Sequence, residues 1–93
     1  MNNDSTSFRL KAFTKDWLIA FGKHLKELRE KKGLTQRQLS FESGIDQSFI
    51  ALLELGKKSP SLKTLIILAI TLEVPLSELV NFSIVQQVNQ ISQ

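Results

Sequence analysis

The sequence predicts a small all-α protein, and three observations support that fold class. With 93 residues, the chain has room for a single small domain. Apolar residues recur with helical spacing, and residues typical of helix N-caps and glycine stops divide the chain into short segments. No stretch alternates apolar and polar residues for long enough to form a β-strand, and the sequence has no internal repeat.

The first helix is predicted from about residue 17 to residue 32, capped by Thr14 or Asp16. Its apolar positions fall at i, i+3, i+7 and i+10, one stripe of an α-helix: Leu18, Phe21, Leu25 and Leu28. Gly33 supplies a left-handed stop after two lysines in the last turn. Residues 1–15 are predicted to form an N-terminal arm. The apolar side chains through which that arm would dock are Phe8, Leu10 and Phe13.

Two short helices follow, separated by only three residues. Thr35 caps a helix over residues 36–43, and Asp46 caps another over residues 47–55. Gly44 begins the connection and takes the positive φ that a tight turn needs. This arrangement is the pattern of a helix-turn-helix, and the alternative is an ordinary αα-corner in a helical bundle.

The residues that hold such a helix pair together stand at the spacing that the motif requires. The inward-facing apolar positions are Leu39, Ile45, Ile50 and Leu53. Ser40 is small enough to let the two helices approach closely. Because several restrictions are met at once, the helix-turn-helix is the preferred interpretation.

The remainder of the chain predicts two more helices and a tail. Ser61 caps a helix over residues 62–72, and a short fifth helix covers residues 76–80. The domain is therefore predicted to span residues 16–81. Residues 82–93 form a polar tail that is either flexible or part of a dimer contact.

Charge is concentrated in the first two thirds of the sequence. The chain has 12 Lys and Arg against 9 Asp and Glu, a formal net charge of +3. Residues 1–59 have a net charge of +4, and residues 60–93 have a net charge of −1. The basic part favours binding to phosphates, whereas the neutral part favours packing or self-association.

Composition also argues against several function classes. The sequence has no cysteine, which excludes disulfides and thiolate metal sites and suits a cytoplasmic protein. The longest apolar run is far shorter than a membrane span, and the polar N-terminus does not resemble a signal peptide. His24 is the only histidine and has no metal-ligating partners, and no nucleophile triad or phosphate-binding glycine loop is present. We therefore expect no enzyme activity, no cofactor, no metal, no membrane partner and no small-molecule ligand.

The motifs "LREKKGLTQRQLS", "SFI..LE.GKKSPSL" and "TL..LA..LEVPLSEL" resemble the Xre or Cro/CI-like helix-turn-helix family of transcriptional regulators. The resemblance covers roughly two thirds of the chain. It implies a five-helix, lambda-repressor-like DNA-binding domain, usually dimeric, whose third helix enters the major groove of double-stranded DNA. It also implies a semi-buried ion pair between Arg29 and Glu54, which is structural rather than catalytic.

The motif geometry and the resemblance together give candidate DNA contacts. Residues at the start of the second helix of the pair and one turn on face base edges: Gln47, Ser48, Ala51 and Leu52. The Gln47 amide is suited to a bidentate pair with adenine, whereas Ala51 and Leu52 offer only apolar contact to a thymine methyl. The candidate phosphate contacts are Gln36, Arg37, Lys57 and Lys58. Of these, Gln36 resembles the phosphate-contacting glutamine of the family.

The predicted fourth helix is more apolar than one buried face requires. Of its 11 residues from 62 to 72, 8 are apolar. A helix that is apolar on more than one face must be covered on more than one face. The arm, the tail or a second subunit would provide that cover. The residues assigned to dimer or arm packing are Ile67, Ile70, Leu76, Val80 and Phe82.

The function that the sequence predicts is sequence-specific DNA binding by a homodimer on a two-fold symmetric operator. The two recognition helices would lie about 34 Å apart. The alternative is a helix-turn-helix fold used for protein–protein contact, with only weak, non-specific DNA binding. Its apolar patch would comprise Phe41, Leu52 and Leu55; the family more often has Arg or Asn at the position of Leu55.

Overall fold

The computed structural model describes residues 4–84, which form five α-helices and, within that range, no strand. The helices are α1 (Asp4–Lys31), α2 (Gln36–Ser43), α3 (Gln47–Glu54), α4 (Leu62–Leu72) and α5 (Leu76–Leu79). The predicted all-α class and the number of helices are confirmed. Residues 1–3 and most of the predicted tail, residues 85–93, lie outside the described range.

The N-terminal arm is the main correction to the predicted organisation. Helix α1 begins at Asp4 rather than near residue 17, so residues 4–15 belong to the first helix. No glycine or proline interrupts this stretch, and the Thr14 hydroxyl donates to the carbonyl of Leu10 at 2.8 Å instead of capping a later start. Leu10 and Phe13 are exposed and do not dock as predicted. The docking predicted for Phe8 falls outside the described side chains.

All five helices contribute to one core. Its members are Phe21, Leu25, Leu39, Ile50, Leu53, Leu68, Ala69, Leu72 and Leu79. The predicted inward-facing residues of the helix pair, Leu39, Ile50 and Leu53, are fully buried in it. Ile45 packs against it from the turn. The helix pair is therefore held on a common apolar base, as the helix-turn-helix interpretation requires.

Helix α1 crosses α3 at a glycine. A Cβ at Gly22 would stand 2.5 Å from the carbonyl oxygens of Leu53 and Glu54. Such a separation is well inside van der Waals contact, so only glycine permits this approach. The crossing fixes the second half of α1 beside the C-terminal end of α3.

Phe82 closes the core from the C-terminal side. Its ring centroid lies 5.0 Å from that of Trp17 and 6.2 Å from that of Phe21. Phe82 was predicted to lie in the tail and to form a dimer or arm contact. It instead packs within its own chain, because an aromatic side chain there completes a cluster on α1. The core contacts therefore continue one residue past the predicted boundary at residue 81.

Candidate nucleic-acid interface

Local hydrogen bonds fix the start of α2 and its connection to α3. The Thr35 hydroxyl accepts from the Gln38 backbone N–H at 3.0 Å, and the Gln38 side-chain oxygen accepts from the Thr35 N–H at 2.8 Å. This reciprocal capping box defines the start of α2. Gly44 ends the helix with φ 74°, the left-handed conformation that the turn was predicted to need. The Ser40 hydroxyl then donates to the carbonyl of Ile45 at 2.6 Å and ties α2 to the turn.

Asp46 organises the start of α3. Its carboxylate accepts from the Ser48 backbone N–H at 3.0 Å and also from the Ser48 hydroxyl. The hydrogen bond from the Ser48 hydroxyl is the main cause that lowers the pKa of Asp46, and the backbone N–H groups of Phe49 and Ser48 lower that pKa further. The Ser48 hydroxyl proton is therefore already used within the chain, which leaves Gln47 as the exposed amide at this helix end.

Beyond Gln47, the outer side of α3 is apolar. Ala51 and Leu52 are half-buried, and Leu55, which follows the helix, is exposed. Phe41 on α2 is 88% exposed, the largest exposed fraction among the large apolar side chains of the described chain. These residues can contact methyl groups, sugars or a protein partner, but their side chains form no hydrogen bonds.

Arg29 on α1 and Glu54 on α3 form a buried, bidentate ion pair. Arg29 Nε donates to Glu54 Oε2 at 2.6 Å and Nη2 donates to Oε1 at 2.9 Å. The side chains are 8% and 4% exposed. Arg29 Nη1 also donates to the carbonyl of Leu34 at 2.8 Å. The hydrogen bond to Glu54 is the main cause that raises the pKa of Arg29, so its guanidinium stays charged.

Gln36 joins this pair rather than standing free at the end of α2. Its amide Nε2 donates to Glu54 Oε1 at 2.9 Å, and the side chain is half-buried. The other candidate phosphate contacts, Arg37, Lys57 and Lys58, are exposed. The structure thus places the four candidates at the start of α2 and in the loop after α3, and connects only Gln36 to the buried ion pair.

A groove of about 400 Å³ runs between α1 and α3. Its lining contains residues from both helices and from the start of α2: Lys23, Lys26, Arg29, Gln36, Ala51, Glu54 and Leu55. The helix-turn-helix pattern did not predict Lys23 and Lys26 as site residues, because both lie on α1, before the helix pair. One signal was available: Lys26 precedes Arg29 by three residues and so shares its side of α1.

The apolar face of α4 differs in detail from the predicted one. Ile70 is 71% exposed, as a docking residue should be, and Leu76 and Val80 are partly exposed. Ile67, by contrast, is half-buried within the chain. Leu62 and Ile66 are exposed and were not predicted. Leu62, Ile66 and Ile70 are spaced at i, i+4 and i+8 and form one stripe, named here the α4 face.

Other site types receive no support from the described chain. His24 Nε2 donates to the carbonyl of Glu78 at 2.7 Å, a contact between α1 and α5. Residues 4–84 contain no cluster of three or more His, Cys, Asp or Glu able to hold a metal ion. None of their helices combines the length and the apolar character needed to cross a membrane.

Comparison with known proteins supports the helix-turn-helix interpretation. The HTH_3 helix-turn-helix family model matches residues 25–79. The regulator y4dJ of Sinorhizobium fredii, named an HTH-type transcriptional regulator, is 41% identical over 59 residues, 63% of this chain and 77% of that protein. The HTH-type transcriptional regulator PuuR of Escherichia coli is 43% identical over 47 residues, 50% of this chain but 25% of PuuR.

A solved structure agrees. The restriction-modification controller protein C.AhdI of Aeromonas hydrophila has a TM-score of 0.65 and 42% identity, with 67% of this chain and 94% of that chain covered. The family model spans more than half of the chain and covers α2, α3, α4 and α5 in full. The resemblance to Xre and Cro/CI-like regulators is thus confirmed, and the chain belongs to the HTH_3 helix-turn-helix family of DNA-binding transcriptional regulators.

Proposed function

We propose that this chain is a sequence-specific regulator that binds double-stranded DNA as a homodimer on a two-fold symmetric operator in the cytoplasm. The observation that supports this most directly is the start of α3. There Asp46 caps the helix, Gly44 and Ser40 fix the turn before it, and Gln47 is exposed at its first position. A rigid helix end with one exposed amide is suited to reading a base edge in the major groove.

Gln47 is the main base-reading residue of this proposal. Its amide offers a donor and an acceptor side by side, which match N6 and N7 of adenine. Ser48 contributes as a hydrogen-bond acceptor, since its hydroxyl proton is directed to Asp46. Ala51 and Leu52 favour a thymine methyl on the same face by apolar contact.

Phosphate contacts supply the affinity and the register. The exposed cations are Arg37 at the start of α2 and Lys57 and Lys58 in the loop after α3. Gln36 contributes from the N-terminus of α2, where backbone N–H groups favour an anion. Such contacts are independent of base sequence and make binding depend on salt.

The α4 face supports the dimer part of the proposal. Leu62, Ile66 and Ile70 leave an exposed apolar stripe, with Leu76 and Val80 beside it. A stripe of this kind on a DNA-binding domain is suited to self-complementary contact across a two-fold axis. A second subunit would set the half-sites about 10 bp apart, which is one turn of the DNA helix.

The rival function is protein–protein contact through the same fold. The exposure of Phe41 and Leu55 favours it, because one large apolar side chain on α2 and another directly after α3 are suited to contact with a protein partner. A protein of that kind binds duplex DNA weakly and without sequence preference.

Selection from a random duplex library, followed by salt titration of the enriched duplex, tests the proposal. We expect a symmetric consensus with half-sites about 10 bp apart. Gln47→Ala should lower affinity for that duplex by roughly 1–3 kcal/mol and relax preference at one base pair. Lys57→Ala should weaken all duplexes alike and flatten the salt dependence. If no duplex is enriched, the rival function is favoured, and unchanged base preference in Gln47→Ala contradicts the assignment of that residue.

A further inference from the structure

The groove between α1 and α3 has an excess of positive charge. Arg29 and Glu54 line it but neutralise each other in the buried pair. Lys23 and Lys26 are exposed on the α1 wall, and within residues 4–84 neither forms an ion pair. The groove therefore has two cations without an ion-pair partner among the described residues.

The position of the two lysines on α1 also indicates an anionic partner. Residues three apart on a helix are neighbours, so both lysines stand on the same side of α1. Glu27 and Glu30 lie four residues beyond each lysine but do not line the groove. An anion seated between α1 and α3 is attracted by both lysines.

The groove adjoins residues already assigned to DNA. Gln36, a candidate phosphate contact, and Ala51, a candidate base contact, both line it. A helix seated in the major groove of B-DNA has a phosphate strand along each side, since that groove is about 12 Å wide. The strand on the α1 side of α3 would pass along this groove. Ala51 and Leu55 give this groove apolar surface, which is suited to packing against deoxyribose rings.

We propose that the groove binds the sugar–phosphate backbone of the operator, with Lys23 and Lys26 contacting phosphates that the helix-turn-helix itself does not contact. Helix α1 then acts as a backbone clamp beside the recognition helix. This assignment rests on the proposed function and adds a second, sequence-independent contact to it.

Salt dependence of DNA binding tests the clamp. Lys23→Ala, Lys26→Ala and the double variant are compared with wild type on the selected duplex. Lys31→Ala is the matched control, because it removes the same charge from the same helix but lines a different groove with Leu72 and Val74. Each clamp variant should reduce the slope of log K against log salt by about 0.9, and the double variant by about 1.8. Lys31→Ala should leave the slope unchanged.

Ethylation interference on the same duplex locates the contact. We expect wild type to show one or two phosphates whose ethylation blocks binding and that the Lys23→Ala/Lys26→Ala variant no longer requires. Circular dichroism of the double variant establishes that the helices are intact.

The outcomes separate the two proposals. If wild type prefers one duplex but the double variant has the slope and interference pattern of Lys31→Ala, the clamp is overturned and the proposed function stands. If no duplex is preferred, the proposed function is overturned. In that case slopes on a random duplex test the clamp, and equal slopes for the double variant and Lys31→Ala overturn it too.

Discussion

On the α2–α3 side of the molecule, polar side chains are tied to the backbone by short local hydrogen bonds, whereas the α4 face presents bare apolar side chains. Thr35, Ser40 and Asp46 each bond to a backbone group within five residues. The side chains of Leu62, Ile66 and Ile70 have no hydrogen-bonding groups, and all three are exposed. One side is thus organised before any partner arrives, and the other gains stability only when it is covered.

The two sides therefore differ in what a substitution should change. A defect on the α2–α3 side should lower the stability of the isolated chain, because the hydrogen bonds and the buried ion pair form within it. A defect on the α4 face should leave the isolated chain folded and change only its association. The following predictions test that division.

Arg29→Ala should have the largest effect. The substitution leaves the Glu54 carboxylate buried, with Gln36 as its remaining side-chain donor. Removing one partner of a buried ion pair costs about 3–5 kcal/mol of unfolding free energy. Urea denaturation followed by circular dichroism measures this loss.

Lys32→Ala is the matched control for Arg29→Ala. Lys32 pairs with Glu73, but the Glu73 side chain is largely exposed, so that ion pair should contribute little. The double variant Arg29→Met/Glu54→Leu should recover much of the lost stability, because no charge is then left buried. A loss no larger for Arg29→Ala than for Lys32→Ala would show that the buried pair does not support the α2–α3 side.

Ile70→Glu tests the other half of the comparison. In a dimer through the α4 face, two carboxylates would be brought together at the two-fold axis. We expect the dimer to weaken by at least about 2 kcal/mol, or about 30-fold in Kd. Because Ile70 is 71% exposed, the unfolding free energy of the monomer should hardly change. Sedimentation equilibrium measures the association.

Phe41→Glu is the control for that experiment, since it places the same charge at an exposed apolar position on α2. It should leave self-association unchanged. If Phe41→Glu weakened the dimer and Ile70→Glu did not, the dimer interface would lie on α2 rather than on α4. That result would favour the rival function.

The features that the sequence predicted are those with local signals. The caps at Thr35, Asp46 and Ser61 and the glycine stop at Gly44 each depend on a few adjacent residues, and the structure has all of them. The start of α1 was missed because residues 4–16 have neither a clear apolar stripe nor a helix breaker. Ser, Thr and Asp are common in this stretch and are weak helix formers, so no local signal predicts a helix that begins at Asp4.

Other features required knowledge of contacts between distant residues. Helix α4 is apolar on most sides, so the sequence left its rotation open, and packing selected Ile66 rather than Ile67 for exposure. Phe82 meets Trp17 across 65 positions of sequence, with no local sign of that contact. Lys23 and Lys26 line a groove with α3 only because Gly22 lets α1 approach α3 closely.

Asp46→Asn should give the smallest effect and the sharpest test of the organised side. The hydrogen bonds from Ser48 and Phe49 lower the pKa of Asp46 in the folded chain, so its ionised form stabilises the fold. That contribution is complete above the unfolded pKa of about 3.9 and is lost as the pH falls through the lower folded pKa. Asn still caps the helix but does not titrate.

The stability difference between wild type and Asp46→Asn should therefore be largest near pH 7 and shrink below about pH 4. Urea midpoints at several pH values measure it. A residual pH dependence from Glu73 should persist in both proteins, because the hydrogen bond and charge of Lys32 lower the pKa of Glu73 too. Ser61→Ala removes a cap that carries no charge, so its effect should not vary with pH. If Asp46→Asn behaved in the same way, the charge of Asp46 would play no part in holding the start of α3, and a neutral cap would serve the recognition helix equally well.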